Sequence, residues 1–193
     1  NPVSKTNKIV KSAIQIDDKE NYNAHPYQKL PVIKKYINGN TLENLKWGLV
    51  PSWSKKNDFK ALINARLETI DEKLSFKKLI KLHRCVAVAD GFYEWKREEK
   101  NKTPYYFLRE DKKNIYIAGI YENNEFCLIT ENASENIKPI HHRQPVILNE
   151  SDVNRYLNLE LSGSNFLREC KKTNLIFYEV SKDVNKPTNN SIS

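Results

Sequence analysis

Hydrophobic and polar positions alternate over short distances along this chain, with few long periodic stretches. Cys85-Val86-Ala87-Val88-Ala89 is a compact apolar run rich in β-branched residues, the pattern of a buried strand. Asp90-Gly91 predicts a turn, after which Phe92-Tyr93-Glu94-Trp95 continues as strand. Tyr105 to Leu108, Ile115 to Tyr121 and Phe126 to Thr130 read as further strands, separated by the polar turns Glu110-Asp111-Lys112 and Glu122-Asn123-Asn124. Upstream, Lys29 to Ile37 carries a short strand around Pro31-Val32-Ile33. Leu45 to Pro51 predicts a strand broken by Gly48 and then by Pro51, which has no N–H to give to a ladder. Helical signals are fewer. Thr69-x-x-Glu72 has the form of a capping box ahead of Leu74, Leu79, Ile80 and Leu82. Asn149-Glu150-Ser151-Asp152 opens a helix through Leu157, with its acidic residues in the first turn. A second helix is predicted over Asn165 to Lys171 and a late strand over Leu175 to Val180. Close-spaced strands with few helices predict an α+β fold: one domain over 1–193, with a curved or barrel-like, mainly antiparallel sheet and a few short flanking helices. Residues 1–21, polar and mixed in charge, read as a loosely packed lead-in.

Length and composition fit that picture. The 193 residues suit one ordinary domain, and 39% hydrophobic residues are enough for a core. No apolar run approaches the ~20 residues of a membrane span, and no signal-peptide pattern opens the sequence. Cys85, Cys127 and Cys170 are an odd, widely spaced set without a CxxC pair, so neither a disulfide framework nor a zinc site follows. A reducing, cytoplasmic setting is expected. The net charge is +8, which fits a polyanionic partner such as nucleic acid. An equally good account is codon bias, because 25 of the basic residues are Lys and only 7 are Arg, and Asn and Ile are abundant.

Polar residues then stand out in three places. In Ile63-Asn64-Ala65-Arg66-Leu67-Glu68-Thr69, an extended backbone would send Asn64 and Arg66 to one face. There an amide and a guanidinium can hold a sugar hydroxyl and a phosphate. A turn Asn beside a solvated Arg is the blander account. Glu94 sits among aromatics directly after a buried strand. Desolvation there would raise its pKa toward neutrality, as general acid–base chemistry requires; an outward Glu paired with a Lys is the alternative. In Lys138-Pro139-Ile140-His141-His142-Arg143-Gln144-Pro145, an extended segment would point His141 and Arg143 one way and His142 the other. His141 can move protons near neutral pH and Arg143 can clamp a phosphate; surface histidines in a loop are the other account. Adjacent histidines are poor ligands for one metal, so no metal site is expected. Trp53 and Trp95 offer flat surfaces for unstacked bases, although packing is the commoner fate of Trp.

Taken in order, Trp47-Gly48-Leu49-Val50-Pro51-Ser52-Trp53, Ile63 to Thr69, Arg84 to Lys96, Ala118-Gly119-Ile120-Tyr121-Glu122, Leu128-Ile129-Thr130-Glu131 and Ile140 to Leu148 resemble the SRAP family (SOS response-associated peptidase). The tail Val180-Ser181-x-x-Val184-Asn185-x-x-x-Asn189-Asn190-Ser191 fits as well, so the likeness runs from about Tyr22-Asn23 onward.

The resemblance implies a DNA-damage-response protein that binds single-stranded DNA at abasic sites. It would act without a cofactor and as a monomer, near the nucleoid if the host is bacterial. Such a protein crosslinks to DNA through an amino-terminal Cys exposed by self-processing of the initiator Met. It implies catalytic roles for Asn64, Glu94 and His141, phosphate contacts for Arg66 and Arg143, and a DNA channel lined by Pro26, Trp53, Trp95 and Thr130. The chemistry is coherent. A terminal α-amine with pKa roughly 7.7–8.0 attacks the sugar aldehyde, and the neighbouring thiol closes a thiazolidine. This sequence departs from the pattern at its opening, where Asn1-Pro2-Val3 stands in place of Met-Cys-Gly-Arg. None of the three internal cysteines carries both amine and thiol, so the native terminus is expected upstream. His25 and Gln144 also differ from the usual residues. A non-covalent single-stranded DNA-binding module lacking the nucleophile is the competing expectation.

Overall fold

The computed structural model describes residues 9–14, 16, 20–54, 59–99, 101–159 and 162–191. Its frame is a large sheet in which β2 (Lys29–Tyr36) and β3 (Gly39–Trp47) form an antiparallel hairpin. Beyond β2 come β5 (Arg84–Ala89), β8 (Ile115–Glu122) and β9 (Glu125–Asn132), each antiparallel to its neighbour. The sheet curls until the end of β3 meets β9 in parallel, Lys46 beside Glu125 and Trp47 beside Phe126, so the strands form a hydrogen-bonded ring. Gly48 makes the closure feasible. Its φ of +139° is open to glycine and strained for other residues, and its N–H donates to the Phe126 carbonyl at 2.8 Å. Three short strands extend the ring. β1 (Ser12–Ile14) runs parallel to β3, β4 (Asn64–Arg66) runs parallel to β9, and β10 (Arg143–Pro145) runs antiparallel to β9. β11 (Ile147–Leu148) pairs with β8.

Both faces of the ring are buried. On one, Ile33, Leu42, Val86, Val88, Ile120 and Ile129 pack with residues of α1 (Leu79–Leu82), α2 (Glu150–Leu157) and α3 (Gly163–Glu169). On the other, Val32, Leu45, Cys85, Ala87, Ile117 and Phe126 meet a separate three-stranded sheet through Phe107 and Leu175. That burial on both sides explains why β5 reads as an uninterrupted apolar run. The small sheet comprises β6 (Gly91–Glu98), β7 (Asn101–Arg109) and β12 (Leu175–Glu179), in the order β12-β7-β6. Gly91 lets β6 and β7 approach, because a Cβ there would lie 2.3 Å from the Phe107 carbonyl oxygen and 2.4 Å from Cζ of Tyr106.

The mainly antiparallel sheet with short helices agrees with expectation, and most predicted strands fall in place. The capping box does not form. Residues 67–69 make a 3-10 turn, Glu72 N–H donates to the Thr69 carbonyl, and regular helix begins only at Leu79. The buried Arg84 ends that helix, donating from Nε to the Ile80 carbonyl at 2.7 Å and from Nη1 to the Tyr156 carbonyl at 3.0 Å. The polar lead-in is partly anchored: Ile9 is buried in the helix-side core and β1 pairs with β3. No helix among the described residues is long and apolar enough to cross a membrane.

The two described ends of the chain are sewn together. The buried Asn23 donates from Nδ2 to the carbonyls of Val184, Lys186 and Asn189 at 3.1, 3.0 and 3.1 Å. Asn190 accepts from the Tyr22 N–H and donates to the Glu20 carbonyl.

Candidate functional site

Glu94 and His141 meet where the small sheet covers the ring. Alternation along β6 puts Phe92 and Glu94 on the face turned toward the ring, and Phe92 stacks on Phe107 there at 5.0 Å. Ile140, buried in the same cluster, delivers His141 from the turn before β10. His141 Nδ1 lies 3.4 Å from Glu94 Oε2. Burial raises the Glu94 carboxyl above the ordinary carboxylate range, while His141, the Trp95 main-chain N–H, Arg97 and Lys102 pull the other way. His141 Nδ1 also lies 3.0 Å from the Arg143 carbonyl and 3.3 Å from the Arg143 N–H. With a proton, that nitrogen donates to the carbonyl; without one, it accepts from the amide. Both protonation states therefore find a partner in one ring position.

β4 supplies a second group of polar side chains. Ala65 is buried in the helix-side core, so its neighbours Asn64 and Arg66 project to the opposite side and are exposed. They lie beside Leu128 and Thr130 of β9. Among the described residues neither side chain has a hydrogen-bonding partner.

Arg143 is placed on that side of β9 as well, but its guanidinium is engaged. Nη1 donates to Glu68 Oε1 at 2.8 Å and to Asn132 Oδ1 at 2.7 Å. Nη2 donates to Glu68 Oε2 at 2.8 Å, to the Thr130 carbonyl at 2.8 Å and to Thr130 Oγ1 at 3.3 Å. The guanidinium holds the Glu68 carboxyl down at about 2. Sequence reasoning passed over Glu68. Its signal is a third polar residue directly after Asn64 and Arg66, in the turn that ends β4.

The aromatic candidates are dispersed. Trp95 lies on the other face of β6, where its indole donates to Asn185 Oδ1 at 2.7 Å and Lys102 Nζ sits 4.5 Å above the ring. Trp53 is 55% exposed in the loop after β3, edge-on to Phe59. Pro26 lies in the bend that leads to Tyr27, whose N–H donates to the Trp47 carbonyl. Thr130 is in the Arg143 cluster. The structure thus joins Glu94 with His141, places Asn64, Arg66, Thr130 and Arg143 along β9 and its neighbours, and turns Trp95 to the face of β6 opposite Glu94.

The cysteines are inert by placement. Cys85 and Cys127 are buried, and burial raises both thiols; that of Cys170 is raised to about 11. Among the described residues no group of three or more His, Cys, Asp or Glu gathers as a metal site would.

The family model described as SOS response associated peptidase (SRAP) matches residues 3–187. The chain belongs to the SRAP family. Among its relatives is the Abasic site processing protein YoqW of Bacillus subtilis, 36% identical over 186 residues that span 88% of this chain and 83% of that protein. The Abasic site processing protein YedK of Escherichia coli is 31% identical over 150 residues, spanning 74% of this chain and 66% of that protein. The Abasic site processing protein HMCES of Gallus gallus is 31% identical over 215 residues, spanning 88% and 64%. Two solved structures superpose well. A Bacteroides thetaiotaomicron protein gives a TM-score of 0.74 at 28% identity, covering 84% of this chain and 79% of that one. A phage-related protein of Bordetella bronchiseptica gives 0.70 at 25% identity, covering 83% and 82%.

Proposed function

We propose that this SRAP chain processes abasic sites in single-stranded DNA, joining itself covalently to the open-chain sugar. The observation that carries the reading is the Glu94–His141 pair at 3.4 Å, with the exposed Asn64 and Arg66 on β4 as further polar groups. The names of the relatives, abasic site processing proteins, support the substrate.

The closed abasic sugar must open to an aldehyde before an amine can add, and opening moves a proton between sugar oxygens. Glu94, its proton held more firmly by burial, is the group for that transfer. His141 steadies the carboxyl, its Nδ1 meeting the Arg143 carbonyl when protonated and the Arg143 N–H when not, with no turn of the ring. Asn64 orients the nucleophile and Arg66 holds a flanking phosphate. Trp53 and Trp95 give stacking surfaces for neighbouring bases, with Pro26 and Thr130 along the path.

The nucleophile in this proposal is an amino-terminal Cys exposed by removal of the initiator Met. Its amine condenses with the aldehyde, releasing water, and its thiol adds to the imine carbon to close a thiazolidine. Cys85, Cys127 and Cys170 are not candidates, since none joins an α-amine to its thiol. The setting is inside the cell, with the chain acting as a monomer on damaged single-stranded DNA.

A single-stranded oligonucleotide with one abasic site, incubated with protein carrying its native amino terminus, tests the proposal. A heat-stable shifted band on a denaturing gel is expected. Salt-sensitive binding with no such band would instead indicate a non-covalent DNA-binding module.

A further inference from the structure

We propose that Glu68 is a positioning residue of this site: its carboxylate holds the Arg143 guanidinium, and the main chain of Arg143 sets the His141 ring against Glu94. That role presupposes the abasic-site reading above and adds a residue to the same site.

Glu68 lies in the 3-10 turn directly after β4, and Arg143 is the first residue of β10. β4 and β10 both pair with β9, so the guanidinium reaches across β9 to meet Glu68. All of its terminal N–H groups have acceptors there: both Glu68 oxygens at 2.8 Å, Asn132 Oδ1, and the carbonyl and hydroxyl of Thr130. Glu68 Oε1 also accepts the Asn132 N–H at 3.1 Å. One planar fork thus ties three chain segments together, which the single point charge of Lys cannot reproduce.

His141 hangs from the end of that assembly. It precedes the three residues of β10, and its Nδ1 faces the Arg143 carbonyl and N–H on one side and Glu94 on the other. Whatever shifts the Arg143 main chain shifts the ring relative to Glu94. The Glu68 carboxyl, held at about 2, stays ionised through any working pH. It is the counter-charge of Arg143. The exposed Arg66 remains the cation turned toward a phosphate.

The test compares Glu68→Gln, Glu68→Asp and Arg143→Lys with wild type, circular dichroism confirming that each is folded. Single-turnover crosslinking and equilibrium affinity are read separately on an abasic single-stranded oligonucleotide. The imidazole ¹⁵N signals of His141 are read by NMR without DNA. Glu68→Gln is expected to slow crosslinking by about 10²-fold, the cost of misplacing a catalytic group by an ångström, to leave affinity within about twofold, and to move the His141 signals. Arg143→Lys should behave like Glu68→Gln although it keeps its charge, and Glu68→Asp should recover part of the rate. An unchanged rate and unchanged His141 signals in Glu68→Gln would overturn the proposal. So would an Arg143→Lys variant that retains the wild-type rate. Should wild type form no adduct while the His141 signals still move in Glu68→Gln, the positioning role stands and the abasic-site reading fails.

Discussion

Glu94 and Trp95 are adjacent in β6 yet serve opposite faces of it: the carboxyl meets His141 on the side toward the ring, and the indole bonds to Asn185 on the other. β6 is an edge strand of the small sheet. A nucleic acid strand that touched both residues would have to turn over that edge, which calls for a sharp bend at the sugar beside Glu94.

Replacing Glu94 by Gln removes the proton carrier and keeps the shape. Crosslinking should slow by roughly 10²-fold or more, with affinity for the oligonucleotide nearly intact. Because the Glu94 pKa is raised, its proton is retained above the usual carboxylate range and lost as the pH climbs further. The wild-type rate should therefore carry a falling alkaline limb that Glu94→Gln lacks. Single-turnover rates across pH settle the matter, and an identical profile in both proteins would refute the assignment.

Arg66→Ala should weaken binding of all single-stranded sequences alike, because a phosphate contact carries no base information. The slope of log K against log salt should fall by about 0.7 for the lost contact. A loss confined to particular sequences would exclude the phosphate role.

Glu68 makes acid stability a direct readout of its ion pair. Its carboxyl is lowered from 4.5 to about 2 by Arg143, so the stabilisation is complete above the ordinary value and disappears as pH falls toward about 2. Glu68→Gln should be the less stable protein at pH 7, and the two melting curves should converge near pH 2. Parallel curves over that range would mean the pair adds nothing to folding.

Asn23→Ala strips the donor that three carbonyls share. A loss of about 1–2 kcal/mol in urea unfolding is expected for one buried and two partly buried acceptors left unmet, together with faster proteolytic cleavage after Val180. Cleavage unchanged from wild type would show that Asn23 does not hold the tail.

The sequence made most strands legible because their apolar runs are short and bounded by turn residues, as at Cys85–Ala89 and Ile115–Glu122. Glu94, His141, Asn64 and Arg66 stood out as polar groups at positions that packing alone would not choose. The ring closure was not legible, since it depends on two parallel pairs between distant strands and a left-handed glycine at 48. The capping box at Thr69 did not form, because Leu67 and Ile70 are buried in the core around a 3-10 turn, and the expected helical turn before Arg84 starts only at Leu79. Engagement of Arg143 by Glu68 was also hidden. The two are 75 positions apart, and only the pairing of β4 and β10 with β9 brings them together.

The seam at Asn23 has a kinetic consequence. Its partner Val184 is 161 residues away in sequence, and contacts so remote close late because chain entropy must be overcome first. A nascent polypeptide emerging from the ribosome would keep the indole of Trp95 without its Asn185 anchor until that distant segment had been made and docked.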